Sequence, residues 1–130
     1  MLTVNNLSSY YTHNKTKHYI LKDITFHLNE GDCLGIIGKS GDGKSTLAKS
    51  LIQITDSNTK IEFKDLLINN KELNQKYRGK KISLLFQNPN SYLNPLMKIG
   101  VQISEMLIYH FKTKKVNINT AEGIYEGKTY

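Results

Sequence analysis

Residues 38–46 read GKSGDGKST, and this stretch decides the fold. It matches the pattern of a glycine, four variable residues and then Gly-Lys-Ser. An apolar run at 33–37 precedes it and helical apolar spacing follows it. Glycines let a backbone wrap around an anion, so that successive N–H groups face the phosphates of a nucleotide. The positive end of the following helix dipole is directed at the same point. The sequence therefore predicts a phosphate-binding loop between a strand and a helix.

Three consecutive residues at the end of this loop carry the expected chemistry. Lys44 supplies a full positive charge to the phosphates, and the Ser45 hydroxyl is expected to ligate Mg²⁺, which bridges two phosphate oxygens. Thr46 is expected to touch the α-phosphate. A nucleotide and Mg²⁺ are thus the predicted ligands of this loop.

The rest of the loop supplies backbone rather than side chains. Gly38, Gly41 and Gly43 give it conformational freedom, and Ser40 and Asp42 are counted with them among the nucleotide-binding residues. Asp42 is unusual, because a carboxylate beside phosphate is unfavourable. We expect its side chain to turn outward, so that the loop tolerates it.

Composition limits the other possibilities. The chain has 130 residues, enough for one small domain, with 38% hydrophobic and 22% charged residues, as in ordinary globular proteins. The single cysteine, Cys33, forms no internal disulfide, which favours a reducing compartment. The formal net charge is +7, but the lysines are scattered, so we predict a solvated surface and no nucleic-acid partner.

Apolar periodicity gives a coarse map of the elements. It predicts a polar loop at 12–18 with a strand on each side of it. Further strands are predicted at 33–37, 61–63, 66–68 and 82–86. Helices are predicted from near Gly43 to Ile54 and over 99–111, with a short one over 71–77. The prolines and asparagines of 88–95 predict a loop. The expected architecture is an α/β domain with a mixed sheet over 1–111, followed by an irregular tail over 112–130.

Two parts of the sequence resemble one family. The loop has the restrictive form G-x-S-G-x-G-K-S-T, which is similar to the ATP-binding subunits of ABC transporters. Residues 77–103 contain Phe-Gln, Asn-Pro, Leu-Asn-Pro and Ile-Gly-x-Gln-Ile in that order. This resembles the Q-loop region of the oligopeptide, dipeptide and nickel importer branch. The resemblance implies a P-loop NTPase fold in which Gln87 reaches Mg²⁺ and the attacking water. It also implies that 88–98 contacts a membrane-spanning permease. Tyr92 departs from the small serine usual there.

An aromatic residue near the end of the first strand adds to this resemblance. The family places an aromatic there that stacks on adenine, because a ring face accepts a base without hydrogen-bond readout. Tyr11 is the expected residue and Tyr10 is the alternative.

The resemblance ends near residue 111. The segment 112–130 contains no Leu-Ser-Gly-Gly-Gln signature, no apolar strand ending in Asp-Glu and no switch histidine. We therefore expect the N-terminal half of an ABC ATPase, truncated before these elements and not hydrolysing ATP alone. Such a half domain would leave 33–37 without a neighbouring strand, so marginal stability and aggregation are expected, as in a gene remnant.

The predicted function is ATP binding in an importer for peptide or nickel-like substrates, at the cytoplasmic face of the cell membrane. Its partners would be ATP, a permease subunit and a second ATP-binding subunit. One alternative is a non-catalytic adaptor or remnant that keeps the partner-contacting loop. Another is a small P-loop kinase, which is disfavoured because Arg78 is the only arginine.

Overall fold

The computed structural model describes residues 1–88 and 92–111 in full, and the backbone of 115–120 and 123–128. The chain divides into two compact units, Met1–Leu84 and Leu85–Tyr130, and each is described by itself. Within the residues described, no helix has the length and apolar character that a bilayer crossing requires.

The first unit is organised around one long strand, β1 (Leu2–His13). Strand β2 (Thr16–Leu28) runs antiparallel along one side of β1. On the other side, β3 (Thr59–Glu62) and β4 (Asp65–Ile68) pair antiparallel with successive parts of it. Strand β5 (Lys71–Glu72) extends the sheet beyond β4. All pairs between the described strands are antiparallel, so the prediction of a mixed sheet is wrong for this part of the chain.

The polar segment 12–18 is mostly strand, which corrects the predicted loop. Only Asn14 and Lys15 form the turn, and both have positive φ (49° and 62°), as a two-residue hairpin turn requires. The ladder continues to the tip, where His13 pairs with Thr16. Both faces of this tip are exposed, so cross-strand backbone bonds suffice and no apolar alternation is needed.

The core of this unit lies between the sheet and helix α1 (Lys44–Leu51), and its buried members are Val4, Leu7, Leu21, Leu47, Leu66 and Leu73. Leu47 is the buried apolar residue of α1, so its contacts fix the helix against the sheet. The helix begins where predicted and ends at Leu51, before the expected Ile54. Gln53 has a φ of 55°, which α-helical backbone does not allow.

Two predicted strands do not form. Residues 33–37 form no strand, and Ile37 is 99% exposed. A strand needs a ladder partner, and none of the described strands pairs with this segment. Residues 82–86 also form no strand: Ile82 makes only an isolated bridge with Arg78, in a turn where its carbonyl accepts from the Gly79 N–H at 2.8 Å.

The predicted short helix over 71–77 is replaced by β5 and a 3₁₀ turn, Gln75–Tyr77. Asn69 and Asn70 form the preceding turn with φ of 50° and 59°, which explains why the chain reverses there into a hairpin. Of the predicted loop 88–95, residues 89–91 lie outside the described residues.

The second unit contains α2 (Ile99–Phe111), as predicted, and a hairpin of β6 (Lys115–Thr120) and β7 (Gly123–Lys128). The hairpin contradicts the irregular tail expected over 112–130. Val116 and Ile118 alternate with asparagines over only a few residues, a strand pattern too short to identify without its partner.

Candidate functional site

The backbone of the phosphate loop has the conformation that its glycines predict. Gly41 and Gly43 have φ of 93° and 86°, in the left-handed region that favours glycine. A Cβ on Gly43 would also lie 3.0 Å from Leu21 Cδ2 and 3.3 Å from Ile20 Cγ2. Glycine is thus required at 43 for both its backbone angle and its close approach to β2.

Unpaired donors lie where this loop enters α1. Leu47 N–H donates to the Gly43 carbonyl at 2.8 Å and begins the helix. In the described chain, the N–H groups of residues 43–46 donate to no other residue. The first turn also contains no acidic residue. Free N–H groups at a helix N-terminus form a ready anion site, so the loop fits a phosphate group.

The predicted phosphate-binding lysine lies across the beginning of the loop. Lys44 Nζ donates to the carbonyl oxygens of Gly38, at 2.8 Å, and Lys39. An ammonium group has three donors, so one remains for a phosphate oxygen. The positive charge of Lys44 therefore lies at the start of the phosphate loop.

Asp42 does not turn outward as expected. Its Oδ2 accepts a hydrogen bond from the Lys39 N–H at 2.6 Å, and a Cβ on Gly38 would lie 2.9 Å from the same oxygen. The carboxylate therefore lies against the first residues of the loop. The reason is local: Lys39 presents a backbone donor three residues before a carboxylate, and a charge-assisted bond forms.

The hydroxyl residues of the loop differ in exposure. Ser40 and Ser45 are exposed and Thr46 is half-buried. Ser45 and Thr46 line a cavity of about 70 Å³, together with Lys49 and Thr59. Ser45 is thus accessible to a metal ion, as its predicted role requires.

Tyr11 and Tyr10 have different surroundings. Tyr11 is 43% exposed, stacks on His18 at 5.2 Å between ring centroids and lines a cavity of about 650 Å³. Tyr10 is buried, with Lys17 Nζ 4.2 Å from its ring centroid. Thr59 lines this cavity as well as the smaller one beside Ser45. The first unit thus places Tyr11 and the start of α1 on neighbouring cavities.

Gln87 is exposed and belongs to the second unit, whereas Ser45, the other predicted Mg²⁺ ligand, belongs to the first. Close by, Phe86 and Tyr92 stack with ring centroids 3.9 Å apart and planes 18° apart. The two stacked residues lie on either side of Gln87 in the sequence. Tyr92, which departs from the family pattern, therefore has a packing role in this structure.

The sequence of the loop and the family match together identify a P-loop NTPase domain. The family model described as ABC transporter matches residues 21–123. The chain belongs to the ABC transporter family, as the resemblance of its sequence motifs predicted.

Several relatives are named as oligopeptide transport ATP-binding proteins. The chain is 37% identical over 123 residues to an oligopeptide transport ATP-binding protein, AppD of Bacillus subtilis, covering 88% of this chain and 38% of that protein. It is 42% identical over 95 residues to OppD of Lactococcus lactis subsp. cremoris, covering 68% and 28% respectively. It is 38% identical over 112 residues to OppF of Mycoplasma genitalium, covering 83% and 13%. The chain thus spans well under half the length of these relatives, and no solved structure matches it.

Proposed function

We propose that this chain binds ATP as part of the ATP-binding subunit of an oligopeptide or dipeptide importer. The observation that carries the proposal is the set of free N–H groups at 43–46, enclosed by a glycine loop with a lysine across its mouth. The names of the relatives favour peptide over nickel as cargo.

Particular residues have proposed parts in this binding. The N–H groups of 43–46 and the Lys44 ammonium hold the phosphates, and the Ser45 hydroxyl ligates Mg²⁺. The exposed ring of Tyr11 stacks on the adenine. Bound Mg²⁺ neutralises charge on the phosphate oxygens during phosphoryl transfer.

The second unit is proposed to connect nucleotide with transport. Gln87 takes part in coordinating Mg²⁺ and orienting water, and 88–98 contacts a membrane-spanning permease subunit. This places the subunit peripherally on the cytoplasmic face of the membrane. Coupling of hydrolysis to transport is proposed for the whole importer, with a second ATP-binding subunit.

The test is thermal unfolding of the purified chain with and without Mg-ATP. Ligand at about 100 times its Kd adds roughly 2.7 kcal/mol of stability, which raises Tm by several degrees in a domain of this size. Lys44→Ala should abolish this shift, whereas Lys64→Ala, which removes the same charge from an exposed residue of the same unit, should preserve it. Gln87→Ala should leave ATP affinity nearly unchanged. Equal shifts in wild type and Lys44→Ala would contradict the proposal.

A further inference from the structure

Asp42 adds a negative charge to a loop that is otherwise built to bind anions. We propose that Asp42 sets the nucleotide affinity of the loop: its carboxylate occupies a backbone donor and repels polyphosphate, so that nucleotide binds less tightly than the loop would otherwise allow. This inference rests on the proposed nucleotide binding.

The geometry shows where the carboxylate lies. Asp42 Oδ2 accepts from the Lys39 N–H at 2.6 Å, and the Asp42 N–H donates back to the Lys39 carbonyl at 3.3 Å. The same oxygen would lie 2.9 Å from a Cβ on Gly38. We call this closed arrangement of residues 38–42 the Asp42 latch. A carboxylate oxygen accepts from a backbone N–H as a phosphate oxygen does, so the Asp42 carboxylate and a bound phosphate use the same kind of donor. Both are negatively charged, so they repel each other.

The charge of Asp42 is not cancelled locally. Among the described residues, the ion pairs within 4.0 Å join Lys17 to Glu62 and Lys49 to Asp56, and neither includes Asp42. Lys44, the nearest functional cation in sequence, donates to carbonyl oxygens instead. Polyphosphate in the loop would therefore meet an unpaired carboxylate.

A second turn of the chain forms the same arrangement away from the loop. Asp32 Oδ2 accepts from the Asn29 N–H at 2.7 Å, and the Asp32 N–H donates to the Asn29 carbonyl at 3.3 Å. The arrangement is thus a local consequence of an aspartate three residues after a free N–H. Asp32 provides a control with the same charge, the same bonds and no part in the phosphate loop.

The experiment measures Kd for Mg-ATP and for inorganic tripolyphosphate by calorimetry on the full chain. Asp42→Asn removes the charge and keeps an acceptor, while Asp42→Ala removes both. We expect Asp42→Asn to bind about tenfold more tightly, about 1.4 kcal/mol, and Asp32→Asn to match wild type. Because the effect is electrostatic, the gain should shrink in 1 M salt.

Each alternative outcome has a distinct meaning. Equal or weaker binding by Asp42→Asn, with Lys44→Ala still abolishing it, would overturn the inference and leave the proposed function standing. Absence of ATP binding in folded wild type and in both Asp42 variants would overturn the proposed function and the inference together. A nucleotide-free check is the NMR shift of the Lys39 amide: it should move in Asp42→Ala and not in Asp32→Asn, and an unmoved signal would refute the latch.

Discussion

The side chain of Gln102, on α2, forms hydrogen bonds with both the N–H and the carbonyl group of Asn94. Its Oε1 accepts from the Asn94 N–H at 3.0 Å and its Nε2 donates to the Asn94 carbonyl at 3.0 Å. Nε2 also donates to the Met97 carbonyl at 2.9 Å. Two motifs separated in sequence, Leu-Asn-Pro and Ile-Gly-x-Gln-Ile, are therefore joined physically: the helix residue fixes the loop proposed to meet the permease.

Gln102→Ala should loosen this loop, because alanine removes both the acceptor of the Asn94 N–H and the donor to the Asn94 and Met97 carbonyls. With a net hydrogen bond worth about 1 kcal/mol, we expect exchange of the Asn94 amide to accelerate by about fivefold or more. Hydrogen exchange followed by NMR measures this. Glu105→Ala, the corresponding truncation at an exposed position of the same helix, should leave the rate unchanged. Equal protection in wild type and Gln102→Ala would contradict the bonding seen here.

Arg78 caps the C-terminal end of α1, the helix that follows the phosphate loop. Its Nε donates to the Ile52 carbonyl at 2.7 Å, and its Nη2 donates to the Gln53 carbonyl, at the C-terminus of α1. Arg78→Ala should cost about 2 kcal/mol of unfolding free energy, since charged hydrogen bonds are lost and the two carbonyls that follow the helix remain unpaired. Arg78→Lys should recover part of this, and Lys80→Ala, at an exposed neighbour, very little. Urea unfolding is the measurement, and an Arg78→Ala variant as stable as Lys80→Ala would refute the capping role.

Gly43→Ala should both destabilise the chain and weaken nucleotide binding. Alanine at a φ of 86° is strained, and its Cβ would lie 3.0 Å from Leu21. We expect a loss of about 2 kcal/mol. Gly35→Ala is the matched control, because no atom lies within 4 Å of a Cβ there. Its effect should stay within about 0.5 kcal/mol. Similar losses in the two variants would show that the loop conformation is wrong.

The ion pair between Lys17 Nζ and Glu62 Oε2, 2.9 Å apart, joins β2 to β3 across β1. The hydrogen bond from Lys17 lowers the pKa of Glu62, and the same bond raises the pKa of Lys17. The contribution of Glu62 to stability is therefore present above its unfolded pKa and lost as pH falls through the folded value. Glu62→Gln should lower the unfolding midpoint at pH 7. The difference should shrink as pH falls below the unfolded pKa of glutamate, about 4.3, and vanish once the carboxyl is protonated in the folded chain as well.

The control for that pair is Glu72→Gln, an exposed carboxylate at the edge of the same sheet. It should show no such pH-dependent difference. High salt should also reduce the effect of Glu62→Gln, because both partners are half-exposed. A difference that does not shrink as pH is lowered through the acid range would mean that Glu62 acts through packing instead.

Features set by local chemistry were predictable from sequence, and features set by distant partners were not. The angles of Gly41 and Gly43 follow from the motif because only glycine adopts them freely. The strand expected at 33–37 required a neighbour that no apolar pattern can specify. The same holds for the hairpin over 115–128, whose pairing became evident only from the structure.

Asp42 is an intermediate case. Its unusual place in the loop was visible in sequence, but its orientation depended on a free N–H at Lys39. The repeated aspartate, three residues after its donor at Asn29 and again at Lys39, is the signal that could have revealed it. Asn69 and Asn70 likewise marked a turn that the helical prediction over 71–77 overlooked.

The position of β1 has a kinetic consequence. Its pairing with β2 closes a turn of two residues. The pairing of Leu2 with Ile68 closes a much longer loop, which contains the phosphate loop. Hairpins form in about 1–10 μs, and longer closures are slower because they demand more chain entropy. The nucleotide cradle should therefore take shape late, after the folding transition state. Bound nucleotide would then prolong the lifetime of the folded chain without hastening its formation.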